Sequence, residues 1–160
     1  MIRVAINGYG RIGRSVLRAL YESGARDRVQ IVAISEPADS VTIAHLTRYD
    51  STHGRFSGTV TVSDDLLTIN GDDIQILHSK HLDQLPWQDL AIDVVLECSG
   101  SFSDRETAEQ HLASGAKRVL FSQPAEPTVD ATIVYGINQH LLTDQQTIVS
   151  AASCSTNCVV

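Results

Sequence analysis

The chain has 160 residues and a formal net charge of -7, with 12 Lys and Arg against 19 Asp and Glu, and 42% of its residues are apolar. That length allows one domain with a real core, since about 150 residues bury roughly 68 to 70% of the unfolded surface, and it leaves no room for two full domains. The sequence has no basic stripe for nucleic-acid phosphates or anionic lipid and no apolar run near the roughly 20 residues that span a bilayer, so the expected partner is a small soluble molecule, not nucleic acid or membrane.

The N-terminus "MIRVAINGYGRIGRS" reaches a glycine turn within eight residues and has no apolar segment of the secretory kind. Ile2 to Ile6 reads as a strand. From Arg11 the apolar positions Ile12, Val16, Leu17, Leu20 and Tyr21 recur at helical spacing until Gly24. Val29 to Ser35 is a second strand, so the first 36 residues make a βαβ unit with parallel strands. Asp39 is expected to cap a short helix carrying Ile43, Ala44 and Leu46. The stretch "GTVTVSDDLLTINGDDIQILHS" alternates apolar and polar residues around "DD" and "NG" turns and predicts a small antiparallel meander. The α/β rhythm then returns: a strand over Val94 to Cys98, a helix over Asp104 to Ser114 ended by Gly115, and strands over Arg118 to Phe121, Thr132 to Tyr135 and Ile148 to Ala152. The expected fold is α/β, a Rossmann-type doubly wound and mostly parallel sheet with a small antiparallel meander insertion.

Gly8-Tyr9-Gly10-Arg11-Ile12-Gly13 fits G-x-G-x-x-G. A tight strand-to-helix turn is the plain alternative, but the motif follows a strand, opens a helix, and is followed 23 residues after Gly13 by Glu36 at the end of the next strand. In the dinucleotide reading Gly8 allows the turn, Gly10 lets a pyrophosphate approach the backbone, and Gly13 lets helix and strand pack closely. Free amides and the dipole at the helix start attract the phosphates. Glu36 would accept hydrogen bonds from a ribose hydroxyl and repel a 2′-phosphate, which favours NAD over NADP. A solvated loop carboxylate is the alternative for Glu36.

Three cysteines, Cys98, Cys154 and Cys158, lack the spacing of a disulfide framework and suit a reducing, cytoplasmic setting. The chain ends "SAASCSTNCVV". If the last strand stops near Ala152, Ser153 can cap a helix starting at Cys154, where free amides favour a thiolate nucleophile. A small buried hydrophobe is the plain reading of a lone cysteine. A C-x-x-x-C metal site lacks the further ligands it needs, and no metal is expected.

Taken together, "AINGYGRIGR", "YDSTHGRF", "VLECSG", "GAKRVLFS", "VYGIN" and "SAASCSTNC" resemble the glyceraldehyde-3-phosphate dehydrogenase family, in order and over essentially the whole chain. "RALYESG", "LPWQDL" and "VAISEPAD", with glutamate where most members have aspartate, look most like its erythrose-4-phosphate dehydrogenase branch. The resemblance implies an NAD-binding domain over 1–152, with 153–160 opening a catalytic domain that continues past this sequence. It also implies a cytoplasmic homotetramer as the whole enzyme, acting on a small phosphorylated aldehyde. By the same resemblance Arg11 and Ile12 hold the pyrophosphate through the backbone and Glu36 takes the adenosine ribose. Lys80 lies near the adenine side, and Ser99, Gly100 and Ser122 line the nicotinamide side. Cys154 is the nucleophile, and Ser153 and Ser155 contact substrate, Ser155 standing where the family usually has threonine. Ser35 replaces the usual asparagine, and Pro37 follows Glu36. The base that activates the cysteine is, in the family, a histidine of the catalytic domain. His45, His53, His78, His81, His111 and His140 fall outside that motif and are expected to have surface or packing roles, so these 160 residues alone are expected to bind NAD without turnover.

Overall fold

A computed structural model describes residues 1–160. Its elements are β1 (Ile2–Asn7), α1 (Arg11–Ser23), β2 (Val29–Ser35), α2 (Ser40–Arg48), the two-residue strands β3 (Tyr49–Asp50) and β4 (Gly54–Arg55), then β5 (Val60–Ser63), β6 (Leu66–Ile69) and β7 (Asp72–Leu77). They are followed by β8 (Val94–Glu97), α3 (Arg105–Ala113), β9 (Arg118–Phe121), β10 (Ala131–Thr132), β11 (Ile148–Ser150) and α4 (Cys154–Val159). Nine strands form one sheet in the order β10-β11-β9-β8-β1-β2-β7-β6-β5, while β3 and β4 pair separately. Neighbours from β10 to β7 are all parallel, and only β6 and β5 continue the sheet through antiparallel pairings. The expected meander is present, and its last strand, β7, docks on β2, so the insertion extends the main sheet. No helix is long and apolar enough to cross a membrane.

Alternation along the strands sends side chains to two cores. Ile6 of β1 and Ile34 of β2 join Leu17 of α1 and Ile43 and Ala44 of α2 on one face. Their neighbours Ala5, Ala33 and Val95 face Trp87 and Ile92 on the other. Ala108 of α3 packs on Val119 and Phe121 of β9 and on Ile148. Helix ends follow local chemistry. The α1 helix stops where Gly24 turns left-handed at φ 72°. Asp39 accepts from the Thr42 amide at 2.9 Å to start α2, and Asp104 accepts from the Thr107 amide at 2.7 Å to start α3.

Two strand expectations need correction. The strand expected over Thr132 to Tyr135 is only Ala131–Thr132. The amides of Ile137 and Asn138 both bond the Val134 carbonyl, Gly136 is left-handed at φ 94°, and the Asn138 side chain accepts from the Val134 amide at 2.7 Å, so a side-chain-locked turn displaces the ladder. The last strand stops at Ser150 instead of Ala152, because Ala152 adopts φ 60°, which no strand accommodates.

Candidate functional site

Because the strands from β10 to β7 run parallel, their C-terminal ends share one edge of the sheet, where ligands of open α/β folds bind. At this edge the three glycines of the loop have different tasks. Gly8 leaves β1 at φ 90° with its amide on the Ser35 carbonyl at 2.9 Å, and a β-carbon there would overlap the Ser99 backbone. A β-carbon on Gly13 would overlap the Gly8 carbonyl oxygen. A β-carbon on Gly10 would meet nothing within 4 Å, so the chain passes that point beside open space. The helical ladder begins with the Arg14 amide on the Gly10 carbonyl at 3.1 Å, and no side chain caps α1. The amides of Arg11, Ile12 and Gly13 therefore point out of the helix start as free donors, which is the cradle an anionic phosphate requires. Arg11 and Ile12 are exposed on this first turn, and the Arg11 guanidinium is held aside by Asp50 at 2.7 Å and Thr52 at 3.0 Å.

A mostly polar cleft of about 350 Å³ brings Gly8, Gly10, Glu36, Lys80 and Ser99 together. Glu36 follows β2, where its Oε2 accepts from the Tyr9 amide at 2.9 Å and its Oε1 from the Ala38 amide at 3.3 Å. The carboxylate thus braces the glycine loop from below and keeps lone pairs for a ligand hydroxyl. Lys80, after β7, is exposed and lines the same cleft. Gly100 and Ser122 do not line the cleft. Gly100 forms the left-handed turn after Ser99, at φ 73°, and Ser122 lies one strand over, its amide on the Glu97 carbonyl at 3.1 Å. Burial pushes the neighbouring Cys98 thiol up to about 11, against the opposing hydrogen bond of Ser122, so Cys98 is an inert core residue.

Sequence reasoning missed a buried network bonded to two residues of the cleft lining, Asn7 and Ser99. Glu97, at the end of β8, is completely buried with no cation beside it. Four donors hold it instead: its Oε1 accepts from the Ser99 amide at 2.8 Å and the Ser99 hydroxyl, and its Oε2 from the Asn7 side chain at 2.6 Å and His111 Nε2 at 3.1 Å. The indole N–H of Trp87 can only donate, and it points at His111 Nδ1 at 3.0 Å. Nδ1 is therefore the acceptor, Nε2 carries the proton, and the contact with Glu97 is a hydrogen bond of a neutral ring. Burial by itself pushes the Glu97 carboxyl up, but the bonds from His111, Ser99 and Asn7 outweigh it and hold the group below its ordinary value. The one sequence signal was an acidic residue closing the apolar run "VVLE".

The cysteine turn lies further along the same edge. The Ala151 amide bonds the Phe121 carbonyl at 2.9 Å, Ala152 turns left-handed, and Ser153 caps α4 by accepting from the Thr156 amide at 2.9 Å. Asn157 donates to the carbonyls of Ala151 and Ser153, both at 2.9 Å, and fastens the short helix to the strand end. Cys154 and Cys158 are exposed, as is Ser155, whose hydroxyl is 3.4 Å from that of Ser153. These residues do not line the cleft. From β1 to β11 the sheet crosses β8 and β9, a lateral separation of about 14 Å at strand spacing. Residues 2–105 match the family model described as "Glyceraldehyde 3-phosphate dehydrogenase, NAD binding domain".

Proposed function

The chain belongs to the glyceraldehyde 3-phosphate dehydrogenase family, and from that premise we propose that residues 1–152 are the NAD-binding domain of an erythrose-4-phosphate dehydrogenase whose catalytic part begins at 153–160. NAD is the cofactor of the matched domain. The observation that carries the reading is the pairing, on one sheet edge, of an uncapped helix start beside open space at Gly10, after β1, with a Ser153-capped cysteine after β11, three strands over. An extended dinucleotide laid along that edge has its phosphates on the Arg11 and Ile12 amides, its adenosine ribose at Glu36 with Lys80 in the same cleft, and its other end toward Ser99, Gly100 and Ser122.

Cys154 attacks the aldehyde carbon of D-erythrose 4-phosphate, with Ser153 and Ser155 as hydroxyl contacts to the substrate. Bound NAD supplies the hydride acceptor. Loss of hydride turns the cysteine adduct into a thioester, and water releases 4-phosphoerythronate and frees the sulfur. The activating base and the second anchor for the substrate phosphate come from the catalytic domain, and the working enzyme is a cytoplasmic homotetramer. The branch assignment rests on "RALYESG" and "LPWQDL", which resemble the erythrose-4-phosphate enzymes.

The polypeptide that carries this domain is expected to reduce NAD with a higher kcat/KM for erythrose 4-phosphate than for glyceraldehyde 3-phosphate, and Cys154→Ser is expected to drop turnover to background. A reversed substrate order makes the protein a glyceraldehyde-3-phosphate dehydrogenase, and turnover that survives Cys154→Ser removes the covalent mechanism. The Glu36 charge should also make NADP bind at least about tenfold more weakly than NAD, a cost of about 1.4 kcal/mol. Fluorescence titration of both cofactors checks this, and equal affinities would contradict the assignment of Glu36 to the ribose.

A further inference from the structure

His78 follows β7 and joins three segments around the cofactor cleft. Its Nδ1 is 3.0 Å from the backbone carbonyl oxygen of Glu36, and its Nε2 is 3.0 Å from Asp65 Oδ1 in the turn between β5 and β6. Ser40, at the start of α2, donates its hydroxyl to the same Asp65 oxygen at 2.7 Å and lies 3.3 Å from Nε2. A carbonyl oxygen and a carboxylate oxygen only accept, so both ring nitrogens must carry protons for the arrangement to be satisfied. The next two residues, Ser79 and Lys80, line the cleft together with Glu36.

We propose that His78 is a positioning residue for the ribose end of NAD: as an imidazolium it fastens the Glu36 loop to the β5–β6 turn, and cofactor affinity falls as pH rises and the ring loses its proton. The inference rests on the reading that Glu36 receives the ribose. The charged group facing the ring is Asp65. Its other neighbours are the Ser40 hydroxyl from α2 and the carbonyls of Glu36 and Ala38 from the loop after β2. Lys80 and His81, on its own segment, do not hydrogen-bond it. The bond to Asp65 is the largest influence and raises the His78 value above 6.5, against partial burial. The Asp65 carboxyl is lowered in turn, by Ser40 first and His78 second. A raised value means that the clamp is complete below pH 6.5 and is lost as pH climbs through the elevated value. With one proton gone, one ring nitrogen turns a lone pair toward either the Asp65 carboxylate or the Glu36 carbonyl, and one arm of the clamp is lost.

The test is the Kd for NAD between pH 6 and pH 9, measured by calorimetry alongside the ring carbon and proton shifts of His78. Wild type should weaken by about fivefold or more across that range, with the inflection where the ring titrates. Asp65→Asn should move both inflections to lower pH together. His78→Asn keeps an amide donor for the Glu36 carbonyl and loses the titrating charge, so its profile should be flat. An unchanged pH profile in His78→Asn, or an Asp65→Asn inflection that does not follow the ring, overturns this inference alone. Failure of wild type to bind NAD at any pH overturns the ribose reading and the inference with it.

Discussion

Glu97→Ala is expected to lower the unfolding free energy by about 3 kcal/mol or more, because it leaves several buried donors without their acceptor. The substitution strands the Asn7 amide, the Ser99 amide and hydroxyl, and the His111 Nε2–H, all aimed at a carboxylate that is no longer there. Each stranded buried donor costs about 1–3 kcal/mol unless water reaches it. Glu97→Gln recovers little, because its amide group turns N–H bonds toward either Ser99 or the Asn7 and His111 donors. Urea denaturation with an unchanged m value reads the loss directly, and a shift below about 1 kcal/mol in both variants would mean that the network does not stabilise the fold. The pH dependence has a definite sign. The Glu97 carboxyl is depressed in the folded state, so its stabilisation is present above its ordinary value of 4.5 and is lost as pH falls through the lower folded value.

Gly8→Ala and Gly10→Ala should separate folding from cofactor binding. At Gly8 a β-carbon meets the Ser99 backbone and the φ of 90° is strained for any side chain, so β1 and β8 must part at their ends. Left-handed strain of about 1–3 kcal/mol and overpacking of about 1–3 kcal/mol together predict a loss of about 3 kcal/mol or more, with NAD binding abolished. At Gly10 the added methyl group touches nothing, so stability should stay within about 0.5 kcal/mol of wild type. On the proposed placement of the pyrophosphate the methyl intrudes on its space, and NAD affinity should fall all the same. Denaturation and NAD titration of the two variants check this, and a Gly10→Ala protein that binds NAD normally would place the phosphates elsewhere.

Legibility in the sequence tracked how local each feature is. The glycine motif, the Asp39 cap and the Ser153 cap are each defined within a few residues, and both caps form where the side-chain chemistry predicts. Glu36 and Gly8 could be related by spacing because one βαβ unit holds both. The Glu97 cluster could not, since it draws Asn7, Trp87 and His111 from three segments far from β8 in the chain. His78 carries the expectation of a surface or packing role, and it is exposed, yet its partners Glu36, Ser40 and Asp65 come from three segments that only the docking of β7 on β2 brings together. The Thr132 to Tyr135 strand failed for a different reason: β-branched residues met a glycine and an asparagine that favour a turn, and the side-chain bond of Asn138 decided between them.

The sheet order also sets the sequence of events as the chain is made. β1 is central and leaves the ribosome before every strand it pairs with, and its β2 partner follows within the same βαβ unit. Its other edge waits for β8, whose Glu97 lies 90 residues beyond the Asn7 it clasps. At about 5–20 residues per second, that edge stays unpaired for roughly 5–18 seconds of synthesis. During that interval Val4, Ala5 and Ile6 present a β-branched, apolar border to any neighbouring nascent chain. Arg3 and Asn7, inside β1 on either side of this border, give it a charged and a polar flank that oppose edge-to-edge association while it is open.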